Sequence, residues 1–128
     1  MKMCRSVMVK GLEAITIECL VAARAYGVEA EVLASLAESY PQTDWEKQAA
    51  YVFERVIRHG RRRAEEMREA AATVREIGLD GCMAAATAER QQWVAALADE
   101  GVLAPDDPWR EAADAAIASA RRAAEAAD

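Results

Sequence analysis

The chain has 128 residues and a formal net charge of −6, the length of one domain. Its isoelectric point near 4.9 argues against nucleic-acid binding, because a phosphate backbone requires a basic protein surface. No apolar run reaches the roughly 18 residues of a membrane span. We therefore expect no nucleic-acid partner and no membrane partner. An odd number of cysteines, three, without metal-ligand spacing favours a reducing, cytoplasmic compartment.

Alanine dominates the apolar composition. The hydrophobic fraction is 53%, but it includes 31 alanines and only 23 Leu, Ile, Val or Phe residues. Because alanine is the strongest helix former and costs no side-chain entropy on burial, the composition predicts closely packed helices around a thin core. A thin core suggests that further apolar surface is buried against a second domain or a second subunit.

The first predicted helix runs from near residue 2 to Tyr26 and ends at Gly27, since glycine readily adopts the left-handed conformation that closes a helix. Apolar residues spaced by four and three share one face of it. They predict a buried seam of Met8, Leu12, Ile15, Cys19, Ala22 and Tyr26. The three cysteines, Cys4, Cys19 and Cys82, lack metal-ligand spacing, so we expect them to be reduced and buried.

The second predicted helix covers residues 28–40 and ends at Pro41, which cannot continue a helix. Its inward residues should be Val32, Leu33 and Leu36. Thr43 and Glu46 have the spacing of a capping box. We therefore expect a third helix to begin there.

The third helix could extend to Ile77, with a kink or break at Gly60. A fourth helix is predicted over residues 82–99, ended by Gly101. Asp107 as N-cap, followed by Pro108, opens a last alanine-rich helix. Only one large aliphatic residue, Ile117, falls in that helix, so we expect the helix to pack weakly or to pack on a neighbouring chain.

No alternating apolar run predicts a strand, so we expect an all-α fold of about five to seven helices. The chain should form a single helical domain, 1–128, with its core over 2–104 and a C-terminal helix over 105–128. None of the six glycines forms a Gly-x-Gly-x-x-Gly turn after a strand. The one histidine, His59, excludes a multi-histidine metal site.

The first helix also carries a polar stripe, formed by Lys2, Arg5, Ser6, Lys10 and Glu13. At about 100° per residue this stripe lies away from the apolar seam, so it should face something other than the domain's own core. Two ammonium groups that are close together and partly desolvated lower each other's pKa, which makes a lysine usable as a proton donor or acceptor. The alternative is a solvated charged face.

The segment Lys2-Met3-Cys4-Arg5-Ser6, followed by Glu18 after 16 residues and Gly27-Val28 after nine more, resembles the C-terminal helical domain of the β-hydroxyacid dehydrogenases. These include 3-hydroxyisobutyrate and 6-phosphogluconate dehydrogenases. Glu66-Met67 followed by Gly78, and the turn Asp107-Pro108-Trp109-Arg110, extend the resemblance. It is closest to a poorly characterised branch with a phosphogluconate-dehydrogenase-like C-terminal domain.

The resemblance implies an NAD(P)-dependent oxidoreductase acting on a hydroxyacid-type substrate. An N-terminal Rossmann domain, absent from this chain, would bind NAD or NADP, and the helical domain would close over a small anionic substrate and form a homodimer. A start one residue before Lys2 would then be a truncation at the domain boundary. The isolated chain should be inactive and hold no cofactor.

The resemblance places the general acid/base lysine at Lys2, with Lys10 as the alternative. Ser6 occupies the position of a substrate-binding asparagine, although a single hydroxyl lacks the separate hydrogen-bond donor and acceptor of an amide. Glu65 stands where the family has a lysine. The substrate's identity and the choice between NAD and NADP therefore remain open.

A basic cluster, Arg58-His59-Gly60-Arg61-Arg62-Arg63, has two interpretations. In the first it is an anion-binding corner, with Arg62 as a substrate-binding residue. In the second its arginines pair with Glu65, Glu66 and Glu69 on a solvated face, and His59 caps a helix end. We expect Trp45, Trp93 and Trp109 to anchor the core or an interface.

Two rival functions remain. One is a stand-alone helical dimer or adaptor with no catalytic role. The other is a DNA-binding domain led by Arg61, Arg62 and Arg63, which is weaker because consecutive residues face different sides of a helix and the net charge is negative.

Overall fold

The computed structural model describes residues 1–127, which form five helices and no strand. The all-α prediction is confirmed. The helices are α1 (Lys2–Ala25), α2 (Glu29–Ser39), α3 (Trp45–Arg75), α4 (Cys82–Asp99) and α5 (Trp109–Ala127). α1 ends before Gly27, whose φ of +71° is the left-handed conformation expected of it.

The longest helix, α3, packs against the other four. Its 31 residues span about 46 Å and continue through Gly60, so the predicted break is wrong. Gly60 lies where α3 approaches α4, and a Cβ at this position would stand 2.9 Å from the carbonyl oxygen of Gln91. The glycine therefore permits close helix packing and does not interrupt the helix.

Two predicted caps differ in detail. Asp44, not Thr43, caps α3, because its carboxylate accepts a hydrogen bond from the Lys47 backbone N–H at 3.2 Å. Asp107 accepts from the backbone N–H of Ala104 at 2.9 Å, in the turn before α5. The side chain predicted to cap the last helix thus closes the preceding turn.

The main core is built by all five helices. Its large members are Ile17, Leu20, Leu33, Val52, Phe53, Val56, Ile57, Val94, Leu97, Leu103 and Trp109. Trp109 lies against Phe53, with ring centroids 5.6 Å apart, while Trp45 and Trp93 pack at the edge, so the tryptophan anchors are confirmed. Trp109 brings three alanines of α5 into this core. The weak packing expected of α5 is therefore wrong for its first half.

A second core joins α3 to α4 and consists of Met67 and four alanines. These are Ala70, Ala71, Ala84 and Ala88, each at most 2% exposed. Small side chains let two helix backbones approach closely and still exclude water. The alanine-rich, thin-core packing predicted from composition is confirmed.

The orientation of α1 differs from the prediction. The seam of Met8, Leu12, Ile15, Cys19, Ala22 and Tyr26 is exposed, and Met8, Leu12 and Ile15 have more than half of their surface in solvent. A different apolar set faces the core: Ala14, Ile17, Leu20 and Ala23. The helix carries two apolar stripes, and the one interrupted by polar residues is the buried one.

An ion pair explains this choice. The Glu13 carboxylate accepts a hydrogen bond from Arg63 Nε at 2.9 Å, and less than a tenth of either side chain is exposed. The fully buried Gln91 donates to the same carboxylate at 3.2 Å and to the Lys10 carbonyl at 3.4 Å. Burial raises the pKa of Glu13, and Arg63 opposes that shift. Arg63 of α3 and the Gln91 amide group of α4 thus hold the Glu13 carboxylate of α1 inside the bundle, while the buried Oε1 of Gln91 accepts no hydrogen bond from the described residues.

Two helical glycines provide a matched test of the packing. Gly60→Ala should lower the free energy of unfolding by about 1–2 kcal/mol, because its Cβ would collide with backbone. Gly11→Ala should raise it by about 0.5–1 kcal/mol, because its Cβ would meet only Thr87 Oγ1 at 3.8 Å and alanine favours a helix. Urea unfolding measures both changes, and equal stabilisation by the two substitutions would contradict the close approach at Gly60.

The buried pair can be tested by a double-mutant cycle. Glu13→Leu leaves the Arg63 charge buried without a counter-ion and should cost about 3–5 kcal/mol of unfolding free energy. Adding Arg63→Met should recover most of that loss, since an apolar pair of similar volume replaces an ion pair at little cost. Additive losses in urea unfolding would show that the two side chains do not depend on each other.

Candidate functional site

The N-terminal end of α1 carries the predicted lysines. Helix α1 begins at Lys2, as expected; Lys2 is exposed and Lys10 is half-buried. Neither makes an ion pair with any group among residues 1–127. Lys2 is therefore free to meet a substrate or another protein surface.

Ser6 lies between the two lysines along the helix but points inward. It is 5% exposed, and its hydroxyl donates a hydrogen bond to Glu66 Oε1 at 2.8 Å. The prediction that the polar stripe faces away from the core is thus wrong for Ser6 and Glu13, which both pack against α3. The hydroxyl proton of Ser6 is engaged, so only its oxygen lone pairs remain for a ligand.

Sequence reasoning missed Glu66 as the partner of Ser6. The two residues are 60 positions apart, and no local spacing relates them. Both belong to polar faces that α1 and α3 turn toward each other. Ser6 and Glu13 lie on the same face of α1, but nothing in the sequence indicates that this face is buried.

The three consecutive arginines of α3 diverge, as predicted. Arg63 points into the bundle toward Glu13, and Arg61 pairs with Asp99 of α4. Arg62 is exposed and makes no ion pair with the described residues. The divergence removes the continuous basic surface that a DNA duplex would need.

The expected pairing partners of these arginines are wrong. None of Glu65, Glu66 and Glu69 forms an ion pair in the described part of the chain. Arg58 pairs instead with Glu54, one turn earlier on the same helix, at 2.7 Å. Most partners come from other helices, which a helical-spacing rule cannot anticipate.

A cleft of about 390 Å³ lies between α3 and α4 at this basic cluster. It is lined by Ile57, Arg58, His59, Gly60, Arg61, Arg62, Glu65, Ala95, Ala98 and Asp99. The cleft is open because the α4 residues that line it, Ala95 and Ala98, are small. The long basic side chains of α3 surround it. Arg62, predicted to bind substrate, lies in this cleft, whereas Ser6 is held between α1 and α3.

His59 lies inside α3, so its predicted role as a helix-end cap is wrong. Partial burial of the imidazole lowers its pKa below the usual value, and four arginines lower it further: Arg55, Arg62, Arg63 and Arg58. His59 therefore lies in a positive electrostatic field that disfavours its protonated form.

The exposed apolar residues of α1 form a second candidate surface. We define the outward stripe as Met8, Leu12, Ile15 and Cys19. Beside it, a shallow groove of about 190 Å³ is lined by Val7, Met8, Gly11, Leu12, Ile15, Met83 and Thr87, and Met83 of α4 is 63% exposed. All three cysteines are exposed, so their predicted burial is wrong.

Among residues 1–127 no helix is both long and apolar enough to cross a bilayer. Within the same range no three His, Cys, Asp or Glu side chains are grouped closely enough to hold a metal ion.

The comparisons with known proteins identify a family. Residues 23–94, more than half of the chain, match the family described as "Domain of unknown function (DUF1932)". The crystal structure of a conserved hypothetical protein from Sinorhizobium meliloti 1021 is similar, with 40% sequence identity and a TM-score of 0.82. The match covers 90% of this chain and 38% of that one, so this chain spans little more than a third of that protein's length. No curated protein matches. The chain belongs to the DUF1932 family.

Proposed function

We propose that this chain is the substrate-closing and dimerisation domain of an NAD(P)-dependent oxidoreductase that acts on a hydroxyacid-type substrate. The observation that carries the proposal is the outward stripe of α1, an apolar surface that the chain's own helices leave uncovered. Single exposed apolar residues are ordinary, whereas a contiguous set marks an interaction surface.

The outward stripe suits a second copy of the chain. Its residues recur at intervals of four and three, the spacing of a helix–helix seam. A two-fold dimer places the same patch of both subunits in contact, so a seam of this kind can pack against itself. Met83 widens the patch beyond one helix. The occupant of the outward stripe is therefore a second copy.

The catalytic part of the proposal rests on the resemblance to the β-hydroxyacid dehydrogenases and on the exposure of Lys2. Lys2 acts as the general acid/base that takes up or returns the hydroxyl proton of the substrate, and Lys10 is the alternative. Arg62 binds an anionic group of the substrate, and Ser6 contributes only its oxygen as an acceptor.

The nicotinamide cofactor belongs to a separate N-terminal dinucleotide-binding domain. Residues 1–127 contain no strand and hence no strand, glycine-rich turn and helix unit that would hold a pyrophosphate. This chain's residues do not fit NAD or NADP by themselves. Their part is to close over the substrate and exclude water.

A stand-alone helical dimer or adaptor without catalysis is the rival. It uses the same outward stripe but gives no role in catalysis or substrate binding to Lys2, Lys10, Ser6 or Arg62, and Lys2 would then be a solvated surface residue. The lysine substitutions below separate the two functions.

In the protein that joins this domain to a dinucleotide-binding domain, Lys2→Ala should lower turnover about 10²- to 10⁴-fold, the usual contribution of a general acid/base. Folding and cofactor binding should be unchanged, because Lys2 is exposed and makes no ion pair in the described part of the chain. Steady-state kinetics with a panel of hydroxyacids measures the effect. Lys47→Ala, at the exposed third lysine, is the control.

Full turnover in Lys2→Ala would contradict the catalytic assignment of Lys2. A large loss in Lys10→Ala would then assign the role to Lys10. Full turnover in both variants would remove the catalytic role of the two lysines and leave this domain only its dimerisation or adaptor role, and a wild-type protein without turnover on any hydroxyacid would favour the stand-alone adaptor.

The dimer can be tested with this chain alone. The wild-type chain should self-associate in sedimentation equilibrium, and Leu12→Glu with Ile15→Glu should be monomeric, because burying carboxylates in an apolar seam is costly. Tyr51→Glu, at an exposed aromatic residue on α3, is the control and should still associate. A monomeric wild-type chain at all concentrations would contradict self-packing of the outward stripe.

A further inference from the structure

We propose that the cleft between α3 and α4 binds a small dianion, such as a phosphate, sulfate or dicarboxylate group, through Arg62, and that His59 gains a proton as the anion binds. This deepens the proposed function, on which it rests only for the role of the anion as part of a substrate. The site itself is argued from this chain.

The shape of the cleft suits a small ligand. Its volume of about 390 Å³ falls within the range of small-molecule sites. Gly60, Ala95 and Ala98 leave room beside the α3–α4 contact, and the Cβ that Gly60 lacks would also press on the Gln91 carbonyl. The opening thus follows from the way the two helices pack.

The charges around the cleft leave one arginine without a partner. Arg58 is paired with Glu54 and Arg61 with Asp99, whereas Arg62 has no ion pair among residues 1–127. The planar guanidinium of Arg62 can donate two parallel hydrogen bonds to an oxyanion. Glu65 at the rim is the carboxylate that competes with the anion.

The charged groups around His59 come from two helices. They are Arg55, Arg58, Arg62, Arg63 and Glu54 on α3, together with Arg61 and Glu65 of α3 and Asp99 of α4, which line the same cleft. The pKa of His59 is lowered by partial burial first and then by the four arginines. The field at the ring is therefore positive, although Glu54 and Asp99 lie near.

An anion bound in the cleft opposes the effect of the arginines on the pKa of His59. A negative charge near His59 favours the imidazolium, so the pKa of His59 rises on binding. By linkage the protein takes up a proton as the anion binds. Anion affinity is then higher below the pKa of the complexed histidine and falls as pH rises through it.

Because the chain contains a single histidine, its ring signals in an NMR spectrum belong to one residue. Sodium sulfate is the first probe, since its charge is constant across the pH range of histidine titration. We expect a saturable shift of the His59 ring signal with sulfate and an upward shift of its pKa. Sodium chloride at matched ionic strength should give neither.

Variants separate the site from general screening. Arg62→Ala should weaken sulfate binding about tenfold or more, the effect of losing a charge-assisted hydrogen bond. Arg122→Ala, at an exposed arginine on α5, is the matched control and should bind as the wild type does. Circular dichroism checks that each variant remains helical.

Inorganic phosphate and malonate then distinguish the two chemical sources of a dianion. Tighter binding of phosphate assigns the site to a phosphorylated group, and tighter binding of malonate assigns it to a dicarboxylate. A His59 titration that sulfate, phosphate and malonate shift no more than chloride overturns the proposal. Equal weakening in Arg62→Ala and Arg122→Ala overturns it as well. Because these tests use no cofactor or turnover, their failure is distinguishable from failure of the dehydrogenase proposal.

Discussion

The buried ion pair between Glu13 and Arg63 is the constraint on which the rest of the structure depends. A carboxylate and a guanidinium removed from water must lie together, and Gln91 supplies a further hydrogen bond to the carboxylate. The three side chains come from α1, α3 and α4, so they fix the rotation of α1 about its own axis. With Glu13 turned inward, Ile17 and Leu20 join the core. The outward stripe then faces solvent.

Two surfaces of different character follow from this arrangement. The first is apolar and lies on α1 beside Met83, where it suits a second helix surface. The second is the basic cleft between α3 and α4, where Arg62 makes no ion pair with residues 1–127 and His59 lies in a positive field. Close packing through Gly60 and small residues of α4 produces the cleft, and the buried ion pair produces the stripe. The proposed function, in which the domain covers a substrate and forms a dimer, would use both surfaces.

The sequence alone predicted most of the helices but not the orientation of α1. Gly27 and Pro41 mark helix ends through their own backbone geometry, so local rules locate those ends. The choice between two apolar stripes depends on Arg63, which is 50 positions away from Glu13, and no local pattern contains it. The predicted break at Gly60 is wrong for a similar reason. The glycine is needed because the Gln91 carbonyl of α4 lies close to it, and Gln91 is far away in the sequence. Of the candidate site residues, Lys2 is exposed at the start of α1 as expected, whereas Ser6 is turned toward Glu66.

The most direct test of the account is the reactivity of Cys19, which lies in the outward stripe and has an exposed thiol in the single chain. Its rate of alkylation can be followed by mass spectrometry over a range of protein concentrations. If the outward stripe is covered by a second copy, Cys19 should react more slowly as the concentration rises. A rate that stays constant across the whole range, equal to that of the unfolded chain, would contradict an interface on α1.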